Sequence, residues 1–153
     1  MLNVLLKNNL ITFAVYIIVY MISFFHISYM TAIGIGNEIT KGVVSVVFVI
    51  IPFILFFCSG KKFLFVTHDT LCNCLSVILL AIILFIVVLI SNHTSWYRFT
   101  LPFELMVEVI TDFLKIPYRT ATEKYVYLAI TVLPSLSMWL GMMSKKAWCL
   151  RNN

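Results

Sequence analysis

Residues 71–90 read LCNCLSVILLAIILFIVVLI, and no side chain after Ser76 in this stretch carries a polar atom. At a helical rise of about 1.5 Å per residue such a run reaches about 30 Å, the thickness of a bilayer's hydrocarbon core. In water an element apolar on every face has to be buried on every face. A chain of 153 residues, 62% hydrophobic and only 11% charged, with a mean hydropathy of +1.05, lacks the polar surface to do that. The stretch is therefore predicted to cross a membrane as a helix, and the rest of the chain is read around it.

Upstream, residues 43–59 form a shorter apolar run interrupted by Pro52. Its Val, Ile and Phe would suit a buried strand in water, but lipid leaves an open strand edge unpaired, so it too is predicted to be helical and kinked. Residues 10–30 are a third run, preceded by a single base, Lys7. The run is longer than the apolar part of a secretory signal and has no small-x-small cleavage pattern, so it reads as a retained span. A polar interruption holding Gly34, Gly36 and Asn37 turns the chain between these two runs. Downstream, residues 125–143 make a fourth run, with Pro134 inside it. The sequence thus predicts an all-α integral membrane four-helix bundle, a single domain over residues 1–153 with spans at about 10–30, 43–59, 71–91 and 125–143.

The long connection from Ser91 to Lys124 is the only extended segment that is not plainly apolar. Within it, residues 101–116 have amphipathic spacing. Glu104, Glu108, Asp112 and Lys115 share one side, and Leu105, Met106, Val109, Ile110 and Phe113 the other. Pro102 suits a first turn, and Pro117 requires the helix to stop by Ile116. An extracytoplasmic amphipathic helix lying on the membrane surface is expected there, with Leu105, Val109 and Phe113 as its candidate partner-binding face.

Alternate assignment of the connections puts Lys7, Lys61, Lys62, Lys145, Lys146 and Arg151 on one side and Lys41, Arg98, Lys115, Arg119 and Lys124 on the other. The first side is the denser in bases, which orients both ends of the chain toward the cytoplasm of a cell membrane. Cys58, Cys72, Cys74 and Cys149 then all fall near the reducing face. The net charge of +5 comes from bases at span ends, where they meet membrane lipid headgroups; without an extended basic face, no nucleic-acid partner is expected.

Within the spans, Thr12, Tyr16, Tyr20 and Ser23 recur as one polar stripe, and Ser137 and Gly141 as a small-residue pair that lets helices approach. These join the outer-helix face as candidate partner-binding residues. His68 and Cys72 share a helical face with no nearby residues to complete a zinc site, and Glu104 and Glu108 read as part of a solvated stripe. No catalytic residue, metal or cofactor is expected. The charged residues all lie outside the four apolar cores, and no nucleotide loop, nucleophile elbow or zincin pair occurs. The expectation is a non-enzymatic accessory or regulatory subunit of a larger integral membrane protein such as a sensor kinase, a transporter or an envelope or secretion machine, with bacterial composition and a possible homo-oligomer among its assemblies. Two alternatives are an oligomeric transporter subunit for a small molecule or lipid, with Tyr16 and Tyr20 lining the path, and an immunity protein against a membrane-active peptide.

Overall fold

The structure, a computed structural model, describes residues 2–33, 38–90, 114–116 and 121–151, with side chains described for 2–25, 50–90, 114–116 and 122–148. Among these residues the regular structure is entirely helical: α1 Leu2–Ile33, α2 Glu38–Phe63, α3 Thr70–Ile90, α4 Ala121–Ile130 and α5 Leu133–Arg151. Three stretches, Leu2–Phe25, Thr70–Ile90 and Thr122–Trp148, are long and apolar enough to cross a membrane.

The first two helices overrun the apolar runs that predict them. Helix α1 begins well before Leu10 and takes in Lys7, while α2 takes in Glu38 and Lys41 at its start and Lys61 and Lys62 at its end. Charged residues do not stop a helix, since Glu and Lys are good helix formers, and Lys61 and Lys62 complement the negative end of the α2 dipole. Pro52 lies inside α2 and is buried.

The fourth run departs further from expectation, because it is two helices joined by a turn at Thr131 and Val132. Pro134 is the cause: it has no N–H to give the Ile130 carbonyl, and its ring crowds that oxygen. Hydrogen bonds continue on either side of that carbonyl. Thr131 N–H donates to the Tyr127 carbonyl (3.2 Å), its hydroxyl to Leu128 (2.7 Å), and Leu136 N–H to Val132 (2.9 Å).

Side-chain contacts set the helix directions. Asn8 meets Phe65 and Tyr16 stacks on Phe56, so α1 and α2 are antiparallel. Lys124 reaches Leu89 while Lys146 reaches Thr70, so α3 runs against α4 and α5. Phe57 faces Gly141 and Leu64 meets Lys145, so α2 and α5 run in the same direction. The most extensive packing joins α2 to α5, followed by α1 to α3 and α3 to α5, with α1 against α2 less extensive. Among the described residues, consecutive helices α2 and α3 barely touch. Their connection, residues 64–69, therefore crosses one end of the molecule between helices that are not neighbours.

Phe56, Leu64, Leu80, Val88, Met138 and Met142 are the most deeply buried apolar side chains of the core, each at most 1% exposed. Buried residues on α3 recur at Asn73, Ser76, Val77, Leu80, Ala81, Leu84 and Val88, the stripe expected of a helix packed on one side. Its opposite side is equally apolar: Ile78, Leu79, Ile82, Ile83, Phe85 and Ile86 are exposed.

The predicted outer helix, with Leu105, Val109 and Phe113, lies outside the described residues apart from its last positions. There Leu114 and Lys115 form a turn, and Lys115 has a φ of 52°. That left-handed conformation is not one a helix interior adopts. Leu114 to Ile116 are thus not helical.

Candidate functional site

The best-defined polar constellation lies where the 64–69 connection crosses the end of the molecule. Two fully buried asparagines hold it in the same way. Asn8 of α1 donates through Nδ2 to the Phe65 carbonyl (2.8 Å) and accepts the Phe65 N–H at Oδ1 (2.9 Å). Asn73 of α3 donates to the Thr67 carbonyl (2.9 Å) and accepts the Thr67 N–H (2.8 Å). A primary amide presents the same donor and acceptor pair as a strand neighbour, so each asparagine satisfies both backbone groups of its residue.

Helix α5 supplies the remaining support. Lys146 Nζ donates to the His68 carbonyl (2.5 Å) and lies 3.3 Å from Thr70 Oγ1, and Lys145 Nζ lies 3.3 Å from the Leu64 carbonyl. Asp69 caps α3, accepting the Leu71 N–H at Oδ1 (2.9 Å) and the Cys72 thiol at Oδ2 (3.2 Å). These two donors, the thiol first, hold the exposed Asp69 carboxyl below the usual carboxylate range. His68 and Cys72, paired in the sequence reading, are thus separated in role: the thiol serves the cap, and the His68 carbonyl serves Lys146. Among the described residues no three His, Cys, Asp or Glu side chains gather as a metal site would require.

The polar stripe of α1 divides along its length. Thr12 is fully buried, its hydroxyl donating to the Asn8 carbonyl (2.8 Å), and Tyr16 is buried with its ring stacked on Phe56 of α2 at 6.1 Å and 15°. Tyr20 lies 6.5 Å from Tyr16 and is only part-covered. Ser23 is also part-covered, with its hydroxyl turned back to the Val19 carbonyl (2.9 Å). Past Val19, no described α1 side chain is buried, and Met21, Ile22, Phe24 and Phe25 are exposed.

The small-residue pair lies on the α2–α5 seam. A Cβ on Gly141 would strike the Phe57 carbonyl and approach Lys61 N to 2.9 Å, and a Cβ on Gly60 would strike Met138, lying 2.7 Å from its Cα. The two backbones touch through these glycines, so Gly141 is occupied within its own chain. Ser137 is buried beside an open groove of about 280 Å³ that it lines with Phe53, Ile54, Phe57 and Leu140.

Asn8, Asn73 and Gly60 are absent from the sequence-derived site. The asparagines lie at the edges of apolar runs and Gly60 looks like a helix stop, so nothing in their spacing announces a tertiary role. Leu105, Val109 and Phe113 lie outside the described residues. Among the described residues the fold is all-helical, with three stretches long and apolar enough to cross a membrane. Comparison with known protein families, curated proteins and solved structures finds no match to this chain.

Proposed function

We propose that this protein is a four-span bundle in a cell membrane, with both ends of the chain on the cytoplasmic side, and that it serves as a non-catalytic accessory or regulatory subunit of a larger integral membrane protein. One observation carries the reading: from Tyr20 to Phe25 no α1 side chain is fully buried, while the polar stripe continues there through the part-covered Tyr20 and Ser23. In lipid a helix face with a part-covered tyrosine and a serine gains more from a protein neighbour than from acyl chains. The equally apolar inner and outer sides of α3 support the membrane setting, because water outside would favour a polar outer side.

The test is crosslinking from Tyr20, replaced by a photoreactive phenylalanine analogue, in cells making the full chain, followed by purification in mild detergent. A discrete adduct with a larger membrane protein is expected, and it should weaken when Phe24→Ala changes the neighbouring surface. A monodisperse particle without adducts, or adducts only between copies of this chain, would overturn the accessory-subunit reading.

A further inference from the structure

The α2–α5 seam carries a second recess one turn beyond the apolar groove. It is open to the surface, measures about 320 Å³ and is lined by Lys61, Lys62, Lys145 and Trp148. Phe57 and Lys61 are one turn apart on α2, and Leu140 and Trp148 are two turns apart on α5, so the apolar groove and the basic recess lie in line along one face of the helix pair. Parallel packing brings the lysines together, since both helices end in bases at the same end of the molecule. Lys145 already approaches the Leu64 carbonyl. Lys62 lies over the ring of its neighbour Phe63, 5.5 Å from the centroid, and Lys61 and Lys62 are both exposed. Among the described residues no carboxylate pairs with either.

We propose that this seam binds one anionic phospholipid, with its phosphate held by Lys61, Lys62 and Lys145 beside Trp148 and an acyl chain laid along Phe57 and Leu140. The charge complementarity is that of ammonium groups with a phosphodiester. An indole at the edge of an apolar groove matches the boundary between headgroup and hydrocarbon. Lysines that only complement helix dipoles need neither a shared recess nor an adjoining apolar groove. A soluble phosphate would use the recess and leave the groove empty. The inference rests on the membrane reading above.

The test uses the full chain in phosphatidylcholine vesicles doped with dibrominated phosphatidylglycerol or dibrominated phosphatidylcholine, reading tryptophan quenching. The share due to Trp148 is obtained by difference from Trp148→Phe. Phosphatidylglycerol should quench that share at a several-fold lower mole fraction than phosphatidylcholine. Lys61→Gln/Lys62→Gln should weaken the preference roughly tenfold, and Lys61→Arg/Lys62→Arg should keep it. Glycerol phosphate added to the vesicles should not relieve the quenching.

Equal quenching by the two lipids would overturn the proposal, as would full relief by glycerol phosphate or an equal loss in a Lys7→Gln/Lys115→Gln control. Helical circular dichroism and flotation with vesicles after alkaline washing check that each variant is folded and inserted. A wild-type chain that does not float overturns the membrane reading and, with it, the lipid site; a chain that floats without lipid preference overturns the site alone.

Discussion

Asn8 shows how one side chain can hold a connection between helices that do not pack together. Replacing it with Ala takes the partner from both the N–H and the carbonyl of Phe65 at a part-buried place, where water recovers part of the loss and about 0.5–1.5 kcal/mol remains for each hydrogen bond. Asn8→Ala should therefore cost about 1–3 kcal/mol, and Asn8→Leu should fare no better, because polarity rather than volume is lost. Unfolding in mixed detergent micelles, followed by circular dichroism, measures this; a Leu variant as stable as wild type would show that the clamp contributes nothing. Asp69 allows a test by acid. Its carboxyl is held below the usual range, so its contribution is complete above the unfolded value of about 3.9 and is lost as pH falls through the lower folded value. Asp69→Asn keeps an N-cap side chain but removes this titration. Stability of the wild type should thus fall below about pH 4 relative to the Asn variant; parallel curves would refute the linkage.

At the scale of elements, the glycine contact decides how closely α2 and α5 pack. Gly60→Ala or Gly141→Ala places a methyl group onto backbone atoms rather than flexible side-chain ends, so the helices must separate. Each variant should cost about 3 kcal/mol or more by overpacking. The double variant should cost less than the two singles together, because the separation forced by the first methyl group makes room for the second. A double-mutant cycle of detergent unfolding tests the coupling, and strict additivity would contradict a shared contact. The same element shows how far the sequence could be read. An apolar run with Pro134 announces a helix with a local fault, and Ser137 with Gly141 announces a close approach. Neither says which helix approaches, since in a chain apolar on all sides hydrophobicity does not distinguish the faces. Pairing is decided instead by sparse contacts such as Gly60 on Met138 and Asn8 on Phe65, and each looks ordinary in its local sequence.

For the whole molecule, the directions of the helices bear on the proposed topology. With α2 and α5 parallel, and α1 and α3 both opposed to them, a chain threaded once through a membrane by each of four spans returns to its starting side. The crossing connection at residues 64–69, clamped by Asn8, Asn73, Lys145 and Lys146, then lies on the same side as Asn3 and Ala147. Single cysteines at Asn3 and Ala147, in a chain with Cys58, Cys74 and Cys149 replaced by Ser, should both be silent to a membrane-impermeant maleimide in intact cells and both react after permeabilisation. Buried Cys72 is left in place to keep the Asp69 cap. A cysteine at Thr94 should react in intact cells. Labelling of Asn3→Cys and Ala147→Cys from opposite sides would mean an odd number of crossings, which the parallel pairing of α2 and α5 does not allow. Labelling of both in intact cells, with Thr94→Cys silent, would keep the fold and reverse its orientation. That outcome would place the lysine recess on the outer leaflet, against the excess of bases, six on one side and five on the other, that orients the ends of the chain toward the cytoplasm.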